Sequence, residues 1–105
     1  MHQTVNAMTS PIGISHLNPL FGWAFEADDE RGMMQEAYCI SIFEEKDVES
    51  PVFSTGMIEG DACVDVPIPD FQFAPSTDYC WKVTVRLNDG TEVESPSAFF
   101  ETAID

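Results

Sequence analysis

The side chains best suited to chemistry in this chain are its carboxylates. Nineteen of the 105 residues are Asp or Glu, so clusters of carboxylates arise by density alone. Residues 28–30 and 44–47 could offer oxygen ligands to calcium, but neither has the alternating spacing and turn glycine of a dedicated calcium loop. His2 and His16 are too far apart, with no supporting cysteine spacing, to indicate zinc. The pattern predicts no metal site.

The three cysteines, Cys39, Cys63 and Cys80, are the next candidates for chemistry. They form no Cys-x-x-Cys motif and cannot all pair, which favours reduced thiols in a cytosolic setting and leaves a Cys39–Cys80 bridge as the other option. A catalytic cysteine needs a neighbouring base, and His2 and His16 both lie near the N-terminus. The glycines form no phosphate-binding loop. We therefore predict no catalytic residue and no cofactor.

The net charge of the chain excludes several classes of partner. Four Lys and Arg against 19 Asp and Glu give a formal charge of −15. A field of this sign repels phosphate backbones and anionic lipid surfaces, so we predict neither nucleic acid nor a membrane as partner. The first ten residues lack the basic start and apolar run of a secretory signal, and no apolar stretch is long enough to span a membrane. A cytoplasmic location is the expectation.

Two-residue alternation of apolar side chains predicts short strands along the chain. The clearest case places Tyr79 and Trp81 on the apolar face of one strand, and similar patterns place Trp23 and Tyr38 on the apolar faces of two others. Prolines close the fifth predicted strand, which favours an edge or end position. Residues 88–90 have the composition of a tight hairpin turn. The predicted strands lie within residues 4–14 and at residues 20–26, 37–43, 52–55, 62–66, 78–87 and 91–101.

About seven short strands, turn signals at roughly ten-residue spacing and no convincing helix predict an all-β immunoglobulin-like sandwich of two antiparallel sheets. The whole chain, residues 1–105, is expected to form one such domain, with residues 1–10 partly flexible.

The region before and within the clearest strand resembles the fibronectin type III signature. In that family, a tyrosine at the start of the penultimate strand hydrogen-bonds through its hydroxyl to the backbone of the preceding crossover. The resemblance gives this structural role to Tyr79 and makes Trp23 the buried tryptophan of the second strand. The residues that carry the resemblance are Phe73-x-Pro75-x-Thr77-x-Tyr79-x-Trp81-x-Val83-x-Val85.

A larger part of the chain, about residues 11–103, resembles the N-terminal region of bacterial α-L-rhamnosidases. The order and spacing of its motifs carry the match, because no single motif is specific. Gly22, where that family usually has a serine, and Cys80, where a second aromatic residue is common, depart from the pattern. The matching motifs are Pro11-Ile12-Gly13-Ile14, Asn18-Pro19-Leu20-Phe21-Gly22-Trp23, Asp29-Glu30-Arg31-Gly32 with Gln35, Ala37 and Tyr38, Ser54-Thr55-Gly56, Tyr79-Cys80-Trp81-Lys82-Val83, Asp89-Gly90 and Ser95-Pro96-Ser97-Ala98-Phe99-Phe100-Glu101-Thr102.

The resemblance implies an accessory module, without chemistry of its own, at the front of a multidomain glycoside hydrolase whose active site sits in a separate helical barrel. The expected partners are the other domains of that protein. The alternative is an independent module that binds carbohydrate or protein. In either case, the candidate interaction surface consists of Phe71, Phe73, Phe99 and Phe100, with one ring of each pair pointing outward.

Overall fold

The computed structural model describes residues 2–6, 8–9, 12–14, 19–24, 35–47, 49–68 and 70–103. Within these ranges the chain forms nine strands and no helix, and so no helix that could cross a membrane. The strands are β1 (His2–Val5), β2 (Leu20–Ala24), β3 (Gln35–Glu44), β4 (Phe53–Ser54), β5 (Ile58–Glu59), β6 (Val66–Pro67), β7 (Asp78–Leu87), β8 (Glu92–Glu94) and β9 (Ala98–Glu101).

The described strands form two antiparallel sheets, which confirms the predicted fold class. The smaller sheet has the order β1-β2-β6, and the larger sheet has the order β4-β3-β7-β8. Two further short strands extend the larger sheet, because β5 also pairs with β3 and β9 also pairs with β7. The long strands β3 and β7 are therefore the centre of the larger sheet, with hydrogen-bonded neighbours on both sides.

Strand β7 has the boundaries that its alternating sequence predicts. Tyr79, Trp81, Val83, Val85 and Leu87 are all buried, whereas the residues between them are only partly covered. Because side chains alternate across a strand, one side of β7 faces the space between the sheets and the other faces outward. The pairing with β3 then aligns the two inner rows side by side.

The core lies between the sheets and is rich in aromatic rings. Phe21 of β2 meets Trp81 of β7 edge to face, with ring centroids 5.0 Å apart, and Phe100 of β9 meets Phe21 at 5.7 Å. Trp23 contacts Tyr38 of β3 at 5.3 Å. Edge-to-face and tilted packing brings the positive ring edges to the negative ring faces, so these contacts stabilise the core beyond the area that they bury.

Strands β8 and β9 run along the same side of β7 with a one-residue irregularity between them. Thr84 pairs with Glu94, but Trp81 pairs with Ala98, so the outer strand has one extra residue. Ser95 fills this gap, since its hydroxyl oxygen accepts from the Val83 N–H at 2.9 Å and its own N–H donates to the Val83 carbonyl at 2.8 Å. The single strand predicted at residues 91–101 is therefore two strands, interrupted near Pro96 as its sequence indicates.

The other differences from the predicted strands lie in short segments. The strand predicted at residues 62–66 is wrong in position: β6 begins at Val66, and residues 62–65 are irregular. Strand β5 has no predicted counterpart. The predicted edge position of the proline-rich strand is correct, because β6 pairs only with β2 among the described strands. Strand β1 lies within residues 1–10, where the sequence predicts partial flexibility, and the end of the second predicted strand beyond Ala24 lies outside the described residues.

Gly22 of β2 occupies a position where a side chain has little room. A Cβ atom there would lie 2.8 Å from the Thr4 hydroxyl oxygen and 3.3 Å from the Cys63 carbonyl oxygen. Thr4 is the direct cross-strand partner of Gly22, and the Cys63 carbonyl accepts from the Trp23 N–H at 2.9 Å. The glycine thus lets β1 and the segment after β5 approach β2 from both sides.

We expect Gly22→Ala to lower the free energy of unfolding by about 1–2 kcal/mol, because the methyl group overpacks this contact. Urea unfolding of the Gly22→Ala, Thr4→Ala and double variants measures it. In the Thr4→Ala background the destabilisation caused by Gly22→Ala should fall by about half, since the Thr4 hydroxyl oxygen, the atom nearest to the added methyl group, has been removed. An equal cost in both backgrounds would contradict the contact.

Candidate interaction surfaces

The four phenylalanines predicted as an interaction surface divide into buried and half-buried rings. Phe73 is only 5% exposed and Phe100 is fully buried, so these two belong to the core and cannot form an outer surface. Phe99 is half-buried and lies opposite Cys80, on the outward side of β9. Phe99 and Phe100 are adjacent residues of β9, and one ring points outward and the other inward, as predicted.

The prediction that one ring of the other pair, Phe71 and Phe73, points outward is wrong for Phe71. Its ring stacks on Phe53 at 5.4 Å and meets Phe73 edge to face at 4.7 Å, so it packs against the core from the side instead of pointing away from it. The physical reason is that residues 70–77 form an irregular crossover instead of a strand, and strand alternation does not govern them.

Trp23, Tyr38 and Trp81 are buried, and the two indole groups differ in their hydrogen bonding. The Trp23 indole N–H donates to the Gln35 side-chain oxygen at 2.9 Å, and the Gln35 amide nitrogen donates to the carbonyls of Gly60 and Ala62. The Trp81 indole N–H is buried and has no hydrogen-bond partner among the described residues. Trp81 therefore contributes through packing, whereas Trp23 also ties β2 to β3 and to the segment after β5.

Tyr79 makes the hydrogen bond that the fibronectin type III resemblance implies. The Ala74 N–H in the crossover donates to the Tyr79 hydroxyl oxygen at 2.8 Å. The ring itself is buried and stacks on Phe100 at 5.3 Å. One residue thus anchors the crossover to the core by its polar end and to β9 by its apolar body.

Thr102, just after β9, is a second anchor that the sequence analysis missed. Its side chain is 1% exposed; the hydroxyl donates to the Ala74 carbonyl at 2.7 Å and accepts from the Thr77 N–H at 2.9 Å. A backbone hydrogen bond holds the next residue as well, because the Ala103 N–H donates to the Ile14 carbonyl at 2.7 Å. Residues 101–103 are therefore held between residue 14 on one side and the crossover on the other. Thr102 lies at the end of the motif Ser95–Thr102 that is similar to the rhamnosidase family, but the motif alone does not indicate what its hydroxyl binds.

The outward side of the larger sheet forms a distinct surface, which we call the outer face. Phe43 and Ala37 are buried there, yet neither belongs to the core cluster between the sheets. The Lys82 ammonium lies 5.7 Å above the Phe43 ring centroid, close enough for a cation–π contact. By strand register, the outer face comprises Ala37, Cys39, Ser41 and Phe43 of β3 with Cys80, Lys82, Thr84 and Arg86 of β7, and Phe99 beside Cys80.

Carboxylates surround the outer face. At one end the Arg86 guanidinium bonds to Glu36 at 3.0 Å and to Glu59 at 2.8 Å, and these hydrogen bonds raise its pKa further above the ordinary value. At the other end, burial raises the pKa of the Cys80 thiol, and the carboxylates of Glu45 and Asp78 raise it further. Deprotonation of Cys80 is thus disfavoured, which argues against a nucleophilic role.

An open groove of about 600 Å³ lies at the end of the sandwich near Thr77. Its carboxylates include Glu44, which pairs with Lys46 at 3.2 Å. No group of three or more His, Cys, Asp or Glu within the described ranges is placed to hold a metal ion. All three cysteines of the chain are described and are free thiols, so the optional Cys39–Cys80 bridge is absent. The groove is lined by Glu44, Glu45, Lys46, Ser76, Thr77 and Asp78.

Two packed antiparallel sheets, a buried tryptophan on the second strand and a tyrosine that anchors the crossover define an immunoglobulin-like β-sandwich. Residues 1–104 match the family model for the Rha78A-like, N-terminal immunoglobulin domain. The chain belongs to this family. It is an immunoglobulin-like N-terminal domain of rhamnosidase-like proteins.

Two solved structures are similar to nearly the whole chain. The Streptomyces avermitilis α-L-rhamnosidase complexed with L-rhamnose has a TM-score of 0.84 at 26% identity over 98% of this chain. The α-L-rhamnosidase from Dictyoglumus thermophilum has a TM-score of 0.84 at 22% identity over 99% of this chain. The matched regions are only 10% and 12% of those two chains. No curated protein matches the chain.

We expect Thr102→Val to lower the free energy of unfolding by about 1–2 kcal/mol, because it removes the hydroxyl that bonds the part-buried Ala74 carbonyl and Thr77 N–H at nearly unchanged volume. Thr77→Val is the matched control, since its hydroxyl makes a local bond to the Pro75 carbonyl and is partly exposed. Chemical denaturation measures both. Equal effects of the two substitutions would contradict the anchoring role of Thr102.

Proposed function

We propose that this chain is a non-catalytic accessory module of a larger α-L-rhamnosidase-like glycoside hydrolase, in which it packs against the other domains. The observation that carries the proposal is the family match over residues 1–104, together with a matched region that is only about a tenth of each rhamnosidase chain. In this proposal the remaining nine-tenths of such a protein supplies the chemistry.

The geometry of the described residues supports a role without catalysis. Glycoside hydrolysis requires two carboxyl groups placed across a scissile bond, one of them protonated near neutral pH. The carboxylates of the groove at the end of the sandwich are open to solvent on loops and strand ends, and Glu44 is already paired with Lys46. The groove is open and does not enclose these carboxylates.

An independent carbohydrate-binding role has less support in the aromatic side chains. A sugar-binding surface uses exposed rings as stacking platforms, but the faces of Phe71 and Phe53 are stacked on each other and Phe73 is buried. Phe99 is the one ring of the four predicted surface phenylalanines on an outward strand side, and it is half-buried. These contacts favour packing against protein over stacking on sugar.

The test compares the parent protein with and without this module. If the module packs against other domains, its removal should lower the thermal unfolding midpoint of the remainder by about 3 °C or more, because a stabilising interface is lost. The isolated 105 residues should release no rhamnose from an aryl rhamnoside. An unchanged midpoint, or hydrolysis by the isolated chain, would overturn the proposal.

A titration of the isolated chain with rhamnosides and plant glycans tests the alternative. Saturable binding that is lost on Phe99→Ala, but kept in Gln72→Ala as an exposed-loop control, would favour an independent carbohydrate-binding module. The proposal predicts no saturable binding.

A further inference from the structure

We propose that the outer face of the larger sheet is the surface that packs against another domain of the parent protein, and that its partner surface is rimmed by basic side chains. This inference rests on the proposed function and names the face and the kind of partner. Three features of the described residues carry it: the absence of carboxylates at the centre, the charge of the rim and the half-buried apolar side chains outside the core.

The centre of the outer face carries two cations, Lys82 and Arg86, but no carboxylate. From Ala37 to Phe43 in β3, and from Cys80 to Arg86 in β7, no outward side chain is a carboxylate, although 19 of 105 residues are acidic. Cys39, Ser41 and Thr84 are small, so a partner backbone can come close. Depletion of Asp and Glu at the centre, together with a polar rim, is a feature of protein interfaces.

Apolar side chains at one end of the face give it an anchor. Phe43, Cys80 and Phe99 lie in one row across β3, β7 and β9, because Cys80 pairs with both phenylalanines. All three residues lie outside the core cluster between the sheets. Phe43 is already covered within the chain, at 7% exposed, whereas the half-buried Phe99 and Cys80 can bury further area against a partner.

The carboxylates around the outer face favour a partner surface of positive charge. The next row along the sheet places Asp78 opposite Glu101, with Glu45 bonded to the Asp78 carbonyl from the other side. Glu92 and Glu94 of β8 flank the same face. A second copy of this chain would bring the same carboxylates against them and be repelled, whereas basic side chains would complement the rim.

The cysteines of the chain provide a direct test. Cys39 and Cys80 lie on the outer face, whereas Cys63 packs against the core beside β2 and serves as an internal control. Labelling rates with iodoacetamide are compared, cysteine by cysteine, between the isolated 105 residues and the parent protein. We expect Cys39 and Cys80 to react about tenfold more slowly in the parent, and Cys63 to react at an unchanged rate.

A substitution then tests whether the face itself makes the contact. Thr84→Arg places a bulky cation at its centre and should restore fast labelling of Cys39 and Cys80 in the parent. Gln72→Arg, which adds the same charge on the exposed crossover, should leave both residues protected. Thermal unfolding of the two variants of the isolated chain controls for an effect on folding. If Thr84→Arg unfolds the domain, Ser41→Arg takes its place.

Equal labelling of Cys39 and Cys80 in both proteins would overturn this inference, and the proposed function would stand if removal of the module still destabilises the parent. Protection of Cys63 instead would place the contact beside β2 and also overturn it. Protection that rises with the concentration of the isolated chain would indicate a second copy as the partner and contradict the basic rim.

Discussion

The structure depends on the alternation of side chains along β7. This strand lies at the centre of the larger sheet, pairs with β3 along nearly its whole length and carries β8 and β9 on its other side. Its inner row supplies Trp81, the largest fully buried side chain of the described core. A shift of one residue in its register would move that row to the outside. The alternation of side chains along β7 therefore determines both which residues enter the core and which lie on the outer face.

Backbone polar groups in the crossover before this strand, and beside its middle, are satisfied by specific side chains instead of further strand pairing. Tyr79 and Thr102 together bond both backbone groups of Ala74, and Ser95 replaces a missing pairing position beside Val83. These bonds matter because an unpaired buried backbone group costs about as much as a hydrogen bond contributes. Trp81 is the exception, because its buried indole N–H finds no partner within the described part of the chain. Its surroundings are aromatic, and the edge-to-face contact with Phe21 gives packing in place of a hydrogen bond.

The sequence predicted the parts of the fold that local pattern controls. The bounds of β7, the hairpin at residues 88–90 and the inward side of Tyr38 follow from alternation and turn chemistry, and the order of the motifs indicated the family. The segment from β5 to β6 was predicted poorly, because its strands are two residues long and are fixed by pairing with β3 and β2. The packing of Phe71 and the role of Thr102 depend on a crossover whose path no local pattern determines. The outer face emerged only once the register between β3 and β7 was known.

An immunoglobulin-like domain with a tightly bonded crossover and an outer sheet face whose centre lacks carboxylates fits a module that packs against protein. The central claim is that β7 is the middle strand of the larger sheet. Amide hydrogen exchange of the isolated chain, followed residue by residue, tests it most directly. The account predicts that the amides of residues 79–86 are the slowest to exchange, and that those of residues 70–73 in the crossover exchange much faster. Exchange along β7 as fast as in the crossover would contradict it.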